Sequence, residues 1–295
     1  MTVPRPAGEG TSLPLTGYSV LRNVIPPQPP PDVPPGWELL PPDFVGVGTM
    51  KSGTSWWWSI LASHPDVASP RGSSSATGPP GSLNVRPYGS KEVHFFDHYG
   101  RVEDVDPVLY YRYFPRPSGS ITGEWTPRYM YDFWTPPMLR MVAPNAKLLV
   151  LLRDPLERFI SALAHHLKWG DDLDAISMDH QFRRGLYWQQ IQALMTYFDR
   201  DQVLVLQYEW CVIDVAQEAR RTFEFLGIDP DKWKLSQEWT RRVGPKHPKP
   251  ILNQATRDAL RRAYEPDLSR LLTEFPKLDG SLWPSSIGSY DSRSR

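Results

Sequence analysis

Residues 43–64, Asp43-Phe-Val-Gly-Val-Gly-Thr-Met-Lys-Ser-Gly-Thr-Ser-Trp-Trp-Trp-Ser-Ile-Leu-Ala-Ser-His64, narrow the possible folds more than any other stretch of the chain. The apolar run 44–47 reads as a buried strand, a loop with Gly48 and Gly53 follows, and a helix opens near Thr54 and Ser55. A helix that starts directly from such a loop aims its first unpaired N–H groups, and the positive end of its dipole, out over the loop. That is an anion site. Gly53 removes a Cβ that would hinder a phosphate, Thr54 and Ser55 add hydroxyl donors, and Lys51 adds a full positive charge. In nucleoside-triphosphatase loops a Lys directly follows the second Gly and precedes the Ser or Thr that binds magnesium. Here Lys51 precedes Gly53 by two residues, and Thr54 stands where that Lys would be. A strand–turn–helix with incidental glycines would use the same residues.

Bulk composition limits the alternatives. A chain of 295 residues holds one large α/β domain or two small ones. Its 33 basic and 33 acidic residues cancel, so no overall field favours nucleic acid or a membrane surface, and anion binding must be local. The single cysteine, Cys211, excludes an internal disulfide and a Cys-rich zinc site and reads as a small buried apolar residue. No apolar run approaches the ~20 residues that span a bilayer, and the start lacks a signal-peptide core, which sets the expectation of a cytoplasmic protein. His165 and His166 have no carboxylate at metal spacing, so no metal is expected.

Residues 1–42 hold twelve of the 32 prolines and read as an extended or polyproline arm outside any sheet. Residues 69–90 form a long Gly/Ser/Pro loop, either a disordered segment or a lid over the site. From there strands expected at 93–96, 120–123, 147–152 and 203–206 alternate with helices at 107–114, 137–142, 156–167, 182–198, 215–226 and 256–272. This alternation implies right-handed crossovers and one α/β domain, with a central, mainly parallel sheet flanked by helices. The domain spans 43–280, with 281–295 as a tail.

Two further constellations carry chemistry. Arg153 leaves the apolar run 147–152, Asp154 and Pro155 can cap and start the next helix, and Ser161 lies two turns into it. Arg153 and Ser161 can converge on one phosphate, or Arg153 can pair with a surface carboxylate. In Lys91-Glu-Val-His-Phe-Phe-Asp97, a strand would put Glu92, His94 and Phe96 on one face and Val93 and Phe95 on the other. An acid and a base side by side suit proton removal from a hydroxyl, although a partly exposed Glu–His pair needs no function.

The pairing of Lys51-Ser-Gly-Thr-Ser-Trp56 with a later Arg153-Asp-Pro-x-x-Arg-x-x-Ser161 resembles sulfotransferases that use 3′-phosphoadenosine 5′-phosphosulfate (PAPS). Lys91-Glu-x-His-Phe-Phe-Asp97 resembles their heparan sulfate 3-O/N-type branch, of which the chain reads as a bacterial member. Gly123-Glu-Trp-Thr-Pro-Arg-Tyr129, Arg184-Gly-Leu-Tyr187, Tyr208-Glu209 and Gly244-Pro-Lys-His-Pro248 extend the likeness over roughly 43–275. The resemblance implies a phosphate-loop sulfotransferase fold, with Lys51, Ser52, Gly53, Thr54 and Ser55 on the 5′-phosphosulfate and Arg153 and Ser161 on the 3′-phosphate. Trp56 stacks on adenine by the same likeness, while Trp57 and Trp58 suit a core. Glu92 is the implied general base, His94 assists at the sulfuryl group, and Lys51 stabilises the leaving group. Two departures stand out. Trp125 replaces a Lys that contacts acidic polysaccharide, and Pro245 replaces an Arg of the cofactor lid, leaving Lys246 and His247 there. With a neutral chain, these favour a less charged hydroxyl acceptor: a sugar, glycolipid or small natural product. A phosphate-loop kinase and a non-catalytic nucleotide-binding protein are the rival readings.

Overall fold

The computed structural model describes residues 30–68, 91–98, 105–168, 175–240 and 248–286. Glu38–Leu39 (β1) leads into Phe44–Gly48 (β2), Thr54–Ala62 (α1), Pro107–Tyr111 (α2), Pro115–Arg116 (β3) and Gly123–Trp125 (β4). Then follow Thr135–Val142 (α3), Lys147–Leu152 (β5), Pro155–Lys168 (α4), Ala175–Arg183 (α5), Tyr187–Met195 (α6) and Val203–Gln207 (β6). Tyr208–Ile213 (α7), Val215–Leu226 (α8), Gln237–Thr240 (α9) and Gln254–Glu274 (α10) complete the order.

β4-β2-β5-β6 form a wholly parallel sheet in that spatial order. Helices cover both faces, so every residue of β2, β4 and β6 is buried and the strands read as continuous apolar runs. Val45, Val47, Leu148, Val150 and Leu152 face α3, α6 and α10 through Leu139, Ile191 and Leu268. Phe44, Leu149 and Leu151 face α1 and α8 through Trp57, Ile60 and Phe223. The single α/β domain with its parallel sheet is as the sequence implies. Gly227, at φ 81°, ends α8 in the left-handed cap expected of it.

Four elements differ from the sequence reading, each for a local reason. Residues 93–96 are not a strand. The Val93 N–H donates to Glu124 Oε2 (2.9 Å) and the Phe95 N–H to the Tyr129 hydroxyl (2.9 Å), so side chains take the amides that a ladder would need. The chain instead makes a 3₁₀ turn at Phe95–His98. The strand expected at 120–123 lies at Gly123–Trp125, because there the Trp125 ring packs over Gly46; a Cβ on Gly46 would fall 2.1 Å from it. The helix expected over 182–198 is two, broken at Gly185, where a Cβ would meet the Tyr264 ring at 2.7 Å. Asp267 of α10 then caps α6 from outside, accepting from the N–H groups of Trp188 (2.9 Å) and Gln189 (3.1 Å).

The fourth difference concerns the arm. Glu38–Leu39 pairs antiparallel with Pro115–Arg116, so the end of the proline-rich segment does join a sheet. At the other end, Trp283 and Ser285 are fully buried, so residues 280–286 dock onto the domain. The loop 69–90, Lys246 and His247 lie outside the described residues.

Gly46→Ala should destabilise the protein by about 2–3 kcal/mol or more, because the new methyl has only a closely packed indole to displace. Urea denaturation with an unchanged m-value is the measurement.

Candidate active site

The loop after β2 is tied down before any ligand is considered. Thr49 donates to the Leu151 carbonyl through both its backbone N–H (3.1 Å) and its hydroxyl (3.0 Å), fixing the loop to β5. Ser52 is buried and its hydroxyl shares a 2.5 Å hydrogen bond with that of Thr49, so its side chain organises the loop itself. Lys51 is held at φ 69°, a left-handed backbone that costs a non-glycine residue on the order of 1–3 kcal/mol. Gly53, at φ 91°, precedes α1 without a side-chain cap. A Cβ there would lie 2.8 Å from the Tyr208 ring, so both that ring and the left-handed backbone require the glycine.

The three tryptophans separate as one helix face requires. Trp57 is fully buried in the core and Trp58 packs 6.0 Å from Phe44. Trp56 is half-buried, with its ring centre 6.1 Å from that of Tyr208 and its indole N–H donating to the Trp239 carbonyl (3.3 Å).

Arg153 brings the second anion motif to the first. It leaves the end of β5, donates to the Lys51 carbonyl (3.3 Å) and lies 5.1 Å over the Tyr208 ring, with Glu157 at 3.7 Å. The surface-carboxylate pairing weighed from the sequence thus coexists with the loop contact. Tyr208 touches Gly53, Trp56 and Arg153, a junction that the sequence offered only as a family likeness. Asp154 caps α4 by accepting from the Glu157 N–H (2.8 Å). Ser161 is half-buried on α4, and the fully buried Arg158 donates to the Gln181 carbonyl and joins α4 to α5.

Glu92 and His94 do meet, although not on a strand face. His94 sits at φ 55°, and its Nε2 donates to Glu92 Oε2 (3.0 Å) while Nδ1 donates to Asp97 Oδ2 (2.9 Å). Arg128 backs Asp97 at 3.1 Å and holds Asp132 at 2.6 Å. Burial pulls the His94 pKa down, but the hydrogen bonds and charges of Asp97 and Glu92 outweigh it and lift the value to about 9. His94 is therefore an imidazolium at neutral pH, a donor and not a base. Burial pushes the Glu92 carboxyl up, but His94 and Lys91 outweigh it and hold it below its ordinary value. Glu92 is the group that can accept a proton.

Two residues beyond those expected complete the geometry. Lys91 Nζ donates to Glu92 Oε1 (2.7 Å) and to the hydroxyls of Thr54 (3.1 Å) and Ser55 (3.1 Å), linking the carboxylate to the first turn of α1. A strand reading turned Lys91 away from Glu92, which hid this. Glu124, fully buried, accepts from Val93 N–H, Thr126, Tyr110 (2.8 Å) and Tyr129 (3.2 Å). Its burial raises its carboxyl pKa despite those donors. Trp125 is also fully buried, its indole N–H on the Gly48 carbonyl (3.1 Å), so this position faces the core and no acceptor. A cavity of about 170 Å³ opens onto the carboxylate, lined by Met50, Glu92, His94, Pro127, Arg128 and Arg184. Among the described residues, no group of three or more His, Cys, Asp or Glu is placed to hold a metal.

The family model described as "Sulfotransferase domain" matches residues 41–243. Heparan sulfate glucosamine 3-O-sulfotransferase 6 of Mus musculus is 31% identical over 208 residues, which span 66% of this chain and 54% of that protein. The membrane-associated sulfotransferase kil1 of Dictyostelium discoideum is 31% identical over 132 residues, 44% of this chain and 24% of its own. The chain thus spans about half the length of the mouse relative and less of the other. A crystallised sulfotransferase from Alicyclobacillus acidocaldarius shares the fold at a TM-score of 0.57 and 21% identity, with 82% of this chain and 98% of that one covered. These relatives overturn the cytoplasmic expectation, since one is membrane-associated by name. Among the described residues no helix is long and apolar enough to cross a membrane, which by itself assigns no compartment.

The His94 cluster gives stability a definite pH dependence. A pKa raised from 6.5 to about 9 on folding stabilises the fold fully below 6.5, and that contribution is lost as pH rises through 9. The fall in melting temperature between pH 7.5 and 9.5 should be smaller in His94→Gln than in the wild type; equal falls would refute the assignment.

Proposed function

The chain belongs to the sulfotransferase domain family, and on that premise we propose that it transfers the sulfuryl group of PAPS to an acceptor hydroxyl. One observation carries the reading. Lys91 bridges the first turn of α1 and Glu92, so a carboxylate base faces the anion loop across a single ammonium group.

In this reading the loop amides, Thr54, Ser55 and Lys51 hold the 5′-phosphosulfate, and Trp56 lies beside the adenine. Arg153 and Ser161 hold the 3′-phosphate, with Lys246 and His247 as the lid contacts. The acceptor hydroxyl, on a sugar, glycolipid or small natural product, enters through the cavity at Met50 and His94. Its oxygen attacks sulfur in line as the bond from sulfur to the 5′-phosphate oxygen breaks, and its proton passes to Glu92. The product nucleotide is 3′-phosphoadenosine 5′-phosphate (PAP), and no covalent enzyme intermediate forms. By analogy with phosphoryl transfer, charge builds on the leaving oxygen. Lys51 and the loop amides oppose it, each well-placed donor contributing on the order of 3–4 kcal/mol.

His94, a cation tethered by Asp97, orients Glu92 and keeps it ionised. An ordinary carboxylate then suffices, because proton removal matters only once bond formation is advanced. The charges this chemistry needs are assigned to side chains and amides, with no metal in any step. Trp125 fills the core, so no Lys stands at this position to contact an acidic acceptor, in keeping with a less charged one.

Millimolar PAP should raise the melting temperature of the purified protein, and ATP with magnesium should not; the reverse preference would favour a kinase. Glu92→Gln should bind PAP as the wild type does and lose ~10²–10⁴-fold in turnover with ³⁵S-labelled PAPS and a panel of glycans, glycolipids and phenols. Wild-type turnover in that variant would remove Glu92 from the role.

A further inference from the structure

Glu92 has both carboxylate oxygens engaged: Oε1 by Lys91 and Oε2 by His94. To accept from an incoming hydroxyl along either lone-pair direction, it gains most if one partner withdraws. The two partners are unlike. His94 is held between Glu92 and Asp97, and Arg128 holds Asp97 in turn, so its ring is fixed from behind. Lys91 is a compact charge on a flexible four-carbon stem with three donors. Its backbone is pinned, since its carbonyl accepts from the Trp125 N–H (2.6 Å). Its ammonium is not confined to Glu92, because the same Nζ lies 3.1 Å from the hydroxyls of both Thr54 and Ser55 at the N-terminus of α1.

We propose that Lys91 is shared between two anions, Glu92 and the sulfuryl group of the donor, and that its transfer from the first to the second releases Glu92 Oε1 to the acceptor hydroxyl. The inference rests on the functional reading above and adds a residue and an order of events to it. The phosphosulfate, placed over the first turn of α1, competes for an ammonium that already contacts the neutral hydroxyls of Thr54 and Ser55 in that same turn. The phosphosulfate carries two negative charges to the carboxylate's one, and at a Lys91 side chain only 12% exposed that difference favours transfer of the ammonium. Donor binding and base release are then one motion of a single side chain. A hydroxyl that arrives without the donor meets a base still held from both sides.

The groups facing Glu92 are few enough to test this. Lys91 and His94 touch it, Asp97 and Arg128 stand behind His94, Arg184 also lines the cavity, and Glu124 lies beneath the Val93 N–H. Of these, Lys91 also donates to the Thr54 and Ser55 hydroxyls at the start of α1.

The test is a ¹³C-carboxyl NMR titration of Glu92, assigned with Glu92→Gln, in wild type and Lys91→Met, each with and without saturating PAPS. Without nucleotide, Lys91→Met should raise the Glu92 pKa, since a cation that lowers it is gone. With PAPS bound, the difference between the two proteins should shrink to less than half, and the PAPS Kd of the variant should rise about tenfold or more. Lys91→Gln repeats the measurement should the Met variant not fold. A difference that persists unchanged with PAPS, or an unchanged Kd, overturns the proposal and leaves the sulfotransferase reading intact. Wild-type protein that binds no PAPS by calorimetry overturns that reading, and this proposal with it.

Discussion

Glu124 has no contact with solvent, yet four donors converge on its carboxylate, and the acceptor side of the site depends on that arrangement. A buried carboxylate is tolerated only when its lone pairs are filled, and each donor left without it would cost about 1–3 kcal/mol. One of those donors is the Val93 amide, in the middle of the segment that carries Lys91, Glu92 and His94. Thr126, which donates to the same carboxylate, also accepts from the His94 N–H (3.3 Å). The half-buried Glu92 carboxylate is therefore positioned by the buried Glu124. Because β4 carries Glu124 and pairs with β2, the same sheet edge fixes the segment of Glu92 and the loop after β2 relative to each other.

Strong local patterns made the sheet and its helices legible. The apolar run 148–152 read as a strand covered on both faces, and Val215–Leu226 ended at a glycine as helices do. Tertiary demands explain the misses. Lys91-Glu-Val-His-Phe-Phe-Asp97 has the composition of a strand, but nothing along it records that Glu124 and Tyr129 will claim its amides. Gly185 looks tolerable inside a helix until Tyr264, 79 positions on, leaves no room for a Cβ there.

The site was legible in its parts and not in its joints. The loop's glycine, hydroxyl and lysine spacing marked it from the sequence, and the Arg153 corner stood out only when paired with that loop. Their connection runs through Tyr208, whose ring meets Gly53, Trp56 and Arg153, and no spacing rule predicts such a contact. Nor could the sequence say that Ser52 would face inward onto Thr49, or that Trp125 would fill the core space left by Gly46. Residue type sets what a side chain can do; neighbours decide which of those options remains.

The docked segment around Trp283 has a consequence for how the protein is made. Its indole N–H donates to Glu209 (2.7 Å), Glu209 accepts from the Asp154 N–H (3.1 Å), and Asp154 accepts from the Ser285 N–H (2.8 Å). This closed ring braces the backbone beside Arg153 with a residue 131 positions downstream. On the ribosome, the pocket wall at Arg153 is thus completed only after the segment around Ser285 has emerged, long after the anion loop itself has been synthesised. A nascent chain would carry this wall unfinished until that segment had emerged.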